Sequence, residues 1–587
     1  MSTSRDEEPV RFSCTQCRSM KLKCDRIKPR CSRCARVRAD CEYPKSRRAN
    51  VGKRQQVREL EIKLEHLERI AKSSTDNPPR NGGEAADQDT AIQNMDPTYR
   101  SPQALPVLEG PASDATVSPG DAPSADLSST GTYEQRPPLE MIESLTNHYF
   151  DKWHYTAPMI HRTRYIMSLS LPSHMRPPMC LQYIVMAWGA EIGNTHRSLA
   201  ISFYNRARAY AQADEVNASL RVAHAQTWCL MCYFEAQYLL FARSSMSLCR
   251  AIRIAQLLGL HQVDGGGLGH PSGLPPPQSW PEAEERRRTW WALYCSDRLV
   301  SGTAGWPVLI NERDMSVRLP ASEEAFQSDV EEKTSLYTSA QQQDGQVFSP
   351  FAGRVRAASL FHQSFQHSTK EPLHNNSSPD PERNTHWRQY REIDNNLVLF
   401  LQGLPDGLRL PRQARCRNAV FVNIIIHMSF ICLHKAAISR MKSTGLPKSM
   451  IRRSTARLVC AAEEILNIFR MMSDMNEHLK NSILIFSVYL TSRVFLEDLD
   501  PTENVPRQDN LDFVLRIMML SAKTLDNPVS GSMAVQLATE MRQRGLDSSA
   551  VEKALEVPQS RHLTPAFTKG SAPSSGPVFR LPSSSET

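Results

Sequence analysis

The chain has 587 residues, 40% of them hydrophobic and 22% charged, with 70 Lys and Arg against 62 Asp and Glu for a net charge of +8. That length allows a sizeable core and more than one domain, and the balance excludes a wholly disordered polyelectrolyte. The charge is unevenly held: Arg11 to Arg54 contain 15 Lys and Arg and 3 Asp and Glu, a net of +12, so the remainder carries −4. A basic surplus confined to one short segment is the footprint of a polyanion partner.

Six of the 14 cysteines lie in that segment, as Cys14-x2-Cys17-x6-Cys24-x6-Cys31-x2-Cys34-x6-Cys41. The two halves, CTQCRSMKLKC and CSRCARVRADC, superpose with an offset of 17 residues. Such a block is either a disulfide framework or a metal site. Met1 to Val10, MSTSRDEEPV, holds no apolar run to send the chain into an oxidising route, and the other cysteines are scattered singly through apolar segments. The sequence therefore predicts metal. Two tetrahedral zinc ions need eight ligand positions, and six thiolates supply them most economically if two sulfurs bridge both ions.

These residues resemble the fungal zinc binuclear cluster (six-cysteine) transcription factors over Arg11 to Lys45, including Cys17-Arg18-x-x-Lys21-x-Lys23-Cys24-Asp25 and Pro29 before the fourth cysteine. The resemblance implies two zinc ions. Cys14 and Cys31 would bridge, Cys17 and Cys24 would complete one ion, and Cys34 and Cys41 the other. It also implies that Lys21 reaches a guanine edge in the major groove of double-stranded DNA, that Arg18 and Lys23 take phosphates, and that the module reads a CGG-like triplet. Met20 departs from the family pattern, where a basic residue is common.

Arg47, Arg48, Lys53 and Arg54, in the basic linker 46–56, are placed to hold phosphate and to serve as a nuclear import signal. Val57, Leu60, Leu64 and Leu67 then follow a heptad seam over 57–72. In a parallel homodimer Lys63 of one chain would face Glu68 of the other. An amphipathic helix of a monomer fits the same short pattern. From Ser73 to Pro138 there are 10 Pro, 5 Gly and 8 Ser, with 10 acidic against 3 basic residues, which predicts a disordered linker.

The stretch 139–557 reads as helical throughout, with apolar-striped segments at 179–190, 222–240, 246–260, 285–300, 419–438 and 451–472, and loops at 265–281, 323–344 and 366–384. The 419–438 segment is apolar enough to suggest a membrane span, but Asn423, His427, His434 and Lys435 would be costly in hydrocarbon. A buried core helix and a chain with no membrane partner are expected.

Tyr149 to His161, Arg250 to His261 (RAIRIAQLLGLH) and Glu285 to Trp291, continuing to Leu319-Pro320, resemble the fungal-specific transcription factor domain. Trp290, Trp291 and Tyr294 are expected in the core, and Arg286 to Arg288 with Asp297 in an ion-pair network. An effector pocket or co-regulator surface is the second expectation for this body. Cys229-x2-Cys232 lacks nearby partners and predicts buried thiols.

No nucleophile elbow, phosphate-cradling loop, HExxH helix or dinucleotide fingerprint occurs, so no catalytic residue is assigned. The fold expected is mostly α: a zinc-cluster DNA-binding module (11–45), basic linker (46–56), short coiled coil (57–72), disordered linker (73–138), large all-α regulatory domain (139–557) and disordered tail (558–587). The function expected is that of a nuclear, homodimeric, sequence-specific regulator of RNA polymerase II transcription, read as an activator. A repressor is the alternative, and an enzyme recruited to DNA by the zinc module is the remote one.

Overall fold

Prolines and glycines punctuate the helical body where the backbone rules require. A computed structural model of the chain describes residues 13–14, 16–17, 22–37, 40–43 and 136–556, the last stretch apart from 194–195, 239, 266–272, 305, 338–346, 370–383, 480, 498–504 and 526–527. The basic linker, the coiled-coil helix, the tail and all but the last three residues of the 73–138 linker lie outside the described residues. The cysteine-rich segment contains one short helix, α1 (Ser32–Arg36).

The body begins with α2 (Leu139–Lys152), α3 (Arg162–Leu169), α4 (Met179–Ile192), α5 (Ala200–Val216), α6 (Val222–Gln237), α7 (Phe241–Leu257) and α8 (Trp280–Ala304). After α9 (Glu323–Gln327) come α10 (Pro350–Thr369), α11 (Thr385–Gln402), α12 (Arg417–Ser443) and α13 (Lys448–Met471). The series closes with α14 (Met475–Leu479), α15 (Ser482–Glu497), α16 (Val505–Leu525), α17 (Pro528–Gln543) and α18 (Ser549–Leu555). Among the described residues there is no sheet, only an isolated bridge between Arg318 and Leu336.

Pro138, Pro178 and Pro447 stand at the N-caps of α2, α4 and α13. A proline there gives up no helix hydrogen bond, because the first N–H groups have no partner within the helix. Gly259, with φ of +77°, ends the α7 segment in a left-handed turn that a residue with Cβ adopts only under strain.

The core runs through consecutive pairings: α2 on α4, α4 on α5, α6 on α7, α8 on α10, α10 on α12, α12 on α13 and α15. Every residue of α4 from Cys180 to Glu191 is buried, so this helix is apolar around its circumference rather than on one stripe. It crosses α2 at Gly189, where a Cβ would lie 2.0 Å from the Leu145 carbonyl oxygen.

The 419–438 segment lies within α12, long and apolar enough to cross a membrane, yet 78% of its most apolar window is buried inside the protein. Asn423 explains how it tolerates a polar residue: its amide donates to the carbonyls of Leu408 at 2.9 Å and Ala419 at 2.8 Å. The stretch 323–344, read as loop, contains the short helix α9, started by Ser322, whose hydroxyl accepts from the Ala325 N–H.

Trp290, Trp291 and Tyr294 are buried core residues, and the Trp291 indole donates to the Arg318 carbonyl at 2.6 Å. The ion-pair network exists with different partners from those expected. Arg288 reaches Glu284 at 3.1 Å and Glu323 at 2.6 Å, and Arg287 reaches Asp264 at 2.7 Å. Asp297 instead binds Arg298 at 2.8 Å and accepts the backbone N–H groups of Leu309 and Ile310.

Candidate zinc centre and nucleic-acid interface

The repeat in the sequence is also a repeat in hydrogen bonding. Cys14 Sγ accepts the Cys17 N–H at 3.4 Å, and Cys31 Sγ accepts the Cys34 N–H at the same distance while capping α1. Each Cys-x2-Cys knuckle thus aims its first sulfur inward and brings the second within reach of it. Cys41 returns to the first turn of the second half, its sulfur accepting the Cys31 N–H at 3.3 Å. Asp25 joins the halves from outside, its carboxylate accepting the Ser32 N–H at 3.0 Å, and the Tyr43 hydroxyl donates to the Ile27 carbonyl at 2.8 Å.

The six sulfurs form two overlapping groups. Cys14, Cys17, Cys24 and Cys31 lie within 4.8 Å of one another, and so do Cys14, Cys31, Cys34 and Cys41. Cys14 and Cys31 belong to both. A zinc ion about 2.3 Å from four tetrahedral sulfurs spaces them roughly 3.8 Å apart. The sulfur separations are 3.9 Å for Cys14–Cys31, 3.7 Å for Cys17–Cys31 and 3.8 Å for Cys14–Cys34, so the donor set fits two tetrahedral ions.

Protonation follows position. Burial pushes the Cys14 thiol well above its ordinary value, and contact with the Cys31 sulfur followed by burial pushes Cys34 up to about 12. At Cys24 burial is outweighed by hydrogen bonds from the backbone of Cys14 and Arg26, which bring the thiol down to about 7. Sulfurs this close cannot all be anionic without cations between them, so zinc binding must release protons.

Around the sulfurs, Lys23, Arg26, Lys28, Arg30, Arg33 and Arg36 are all exposed. Of the expected DNA contacts, Lys23 is on this surface, whereas Arg18, Lys21, Arg47, Arg48, Lys53 and Arg54 lie outside the described residues. So do Val57, Leu60, Lys63, Leu64, Leu67 and Glu68. The five arginines and lysines from Arg26 to Arg36 were not singled out by motif, though the local charge surplus includes them.

Residues 12–50 match the family model of the fungal Zn(2)-Cys(6) binuclear cluster domain, and residues 146–395 that of the fungal specific transcription factor domain. The chain belongs to the fungal Zn(2)-Cys(6) cluster transcription factors. Its relatives include a citrinin biosynthesis transcriptional activator of Monascus ruber, 26% identical over 499 residues that cover 81% of this chain and 95% of the relative. A pigment biosynthesis transcriptional activator of the same organism is 28% identical over 348 residues, 56% of this chain and 60% of the relative. An asperfuranone cluster transcription factor of Emericella nidulans is 25% identical over 461 residues, 62% of this chain and 69% of the relative. No solved structure matches the chain. As a member of this family the chain is a zinc- and DNA-binding regulator of transcription, and its cluster holds two zinc ions.

The helical body brings together two further polar groups that the sequence did not reveal. Cys180, Asp214 and His224 place potential metal-ligand atoms within 4.8 Å of one another. However, the His224 Nδ1 accepts the Arg221 N–H at 2.9 Å, which puts the ring proton on Nε2, 3.0 Å from Asp214. A metal would need that Nε2 lone pair, so the group is a helix cap tied to α5. Asp394, His434 and Ser454 line up like a nucleophile relay, with His434 3.3 Å from Asp394 and 3.4 Å from Ser454. Ser454 is buried and shares the Tyr390 hydroxyl with His434, so the group ties α11, α12 and α13 together. Cys229 and Cys232 are buried free thiols, lying beside the hydroxyls of Ser296 and Ser244.

Proposed function

We propose that the chain is a pathway-specific activator of RNA polymerase II transcription that acts in the nucleus and reads CGG-like half-sites in double-stranded DNA through Lys21, with Arg18, Lys23, Arg47, Arg48, Lys53 and Arg54 on phosphates. The observation that carries this reading is the pair of four-sulfur groups sharing Cys14 and Cys31, set among exposed basic side chains. In this reading Cys14 and Cys31 bridge the two ions, and the cluster's net negative charge is offset by the basic residues that face DNA. Relatives named as transcriptional activators of citrinin and pigment biosynthesis favour activation over repression, and a biosynthetic gene set as the target. The helical body has the regulatory role, not a catalytic one.

One module reads few base pairs, so selectivity calls for two. The heptad residues Val57, Leu60, Leu64 and Leu67, with Lys63 facing Glu68, supply a homodimer seam, and the basic linker sets half-site spacing. Selection of bound sequences from random DNA by the full chain tests this: paired CGG-like triplets are expected, and an unpaired or random consensus would overturn it. Lys21→Ala should retain both zinc ions yet relax preference at one base position. Uniform weakening across all sequences would move Lys21 to a phosphate. Affinity should also fall steeply with salt, by about 0.9 log units per released counterion per log unit of salt.

A further inference from the structure

The end of the matched regulatory segment encloses a cavity whose chemistry the DNA-reading function does not use. It has a volume of about 160 Å³ and lies where the last turn of α10, the first turn of α11 and the last two turns of α12 converge. His367, His386 and Arg440 line it together with Ser368, Ser439 and Ser443, and no carboxylate is among its lining residues.

Two of the three basic groups have an ordinary explanation. His367 and Arg440 sit in the last turns of α10 and α12, where positive charge complements the helix dipole. His386 does not share it, because it opens α11, where a cation is disfavoured. Yet its ring stacks on His367 with centroids 4.1 Å apart, and the Arg440 guanidinium lies 2.8 Å from its Nε2. Burial first, then the positive field of His367 and Arg440, pushes the His386 imidazole down to about 3. That displacement registers a cavity at positive potential, with N–H donors converging from three helices.

We propose that this cavity binds a small oxyanion, the carboxylate or phosphate of a metabolite, as an effector of the regulatory body. The guanidinium offers a planar fork of donors suited to either group. The N–H groups at the start of α11 favour negative charge on the same side. The volume admits several water molecules and therefore a compact anion, not a drug-sized ligand. The inference stands on the helical body alone and does not depend on the DNA-reading proposal.

Calorimetric titration of the full-length chain with malonate and with inorganic phosphate, each at constant ionic strength in chloride, tests it and tells a carboxylate from a phosphate source. Saturable binding of at least one is expected, and Arg440→Gln should weaken it at least tenfold. Ser439→Asp should place a carboxylate in the cavity, abolishing the binding while leaving the melting temperature unchanged or raised, and so keeps the test informative if Arg440→Gln unfolds. The absence of saturable heat with both anions would overturn the proposal, showing the basic cluster to be satisfied within the chain. Binding that both variants leave intact would overturn it equally. DNA affinity need not change for the site to stand, so its failure and that of the DNA-reading proposal are separately visible.

Discussion

Cys31 is the residue on which most of the zinc module converges: its sulfur lies in both four-sulfur groups, its side chain caps α1, and its N–H binds the Cys41 sulfur. Cys31→Ala therefore removes a ligand from both ions at once. Structural zinc supplies about 10 to 16 kcal/mol of apparent folding free energy in small modules. Metal analysis should find both ions lost and DNA binding abolished, whereas Cys229→Ala, in the helical body, should keep two zinc ions per chain. Retention of one full zinc by Cys31→Ala would count against bridging. The cysteine pattern was legible in the sequence because metal ligation fixes spacing locally. Ion pairing was legible only as a kind of interaction. Arg288 finds Glu284 one turn away but also Glu323, brought to it by the chain path after α8, and nothing in the local sequence encodes that path. Arg288→Ala should cost about 3 to 5 kcal/mol in equilibrium unfolding, since it leaves Glu284 buried with its main cation gone. A loss under 1 kcal/mol would show that Arg287, 3.4 Å from Glu284, compensates.

At the scale of the helix, legibility depended on length and apolar content. The segments read at 179–190, 419–438 and 451–472 lie within α4, α12 and α13, because long apolar runs leave a chain little choice but to bury them. The short α3 and α9, and the ends of α7 and α8, depend on caps and tertiary support that periodicity does not report. The crossing of α2 and α4 is another such feature. Gly189 is one small residue in an apolar helix, and only the structure shows the Leu145 backbone against its Cα. An added methyl would meet main-chain atoms of Leu145, oxygen, carbonyl carbon and Cα alike, which cannot rotate away as a side chain would. Gly189→Ala should therefore destabilise the body by on the order of 3 kcal/mol, at the upper end of overpacking costs. Gly407→Ala is the matched control, because a Cβ there meets nothing within 4 Å, and it should leave the denaturation midpoint nearly unchanged. Equal effects of the two substitutions would show that the helix crossing relaxes.

The whole molecule couples to pH through groups buried far from the zinc module. His154 is 7% exposed and packs against the rings of Tyr149 and Phe150, with centroids 5.8 and 5.0 Å away. Burial, only partly offset by the attraction of Glu323, pushes its imidazole down to about 4. The unfolded chain takes up a proton there near pH 6.5, while the folded chain resists until about pH 4, so the unfolded state binds more protons in that window. Stability from this residue is complete above about pH 6.5 and is lost as the pH falls towards 4, amounting to roughly 2 kcal/mol by pH 5. Glu284 and Glu285 act in the opposite direction, because burial pushes their carboxyls up and the folded state holds their protons longer. The slope of the intact chain is thus a sum of opposing contributions, and the informative quantity is a difference. His154→Phe keeps an aromatic ring in the same cluster and removes the titration. Unfolding free energies measured at pH 7.5 and pH 5 should fall less on acidification for His154→Phe than for the natural chain, by about 2 kcal/mol. Parallel pH profiles would mean that His154 is already protonated in the fold, held by Glu323 4.0 Å away.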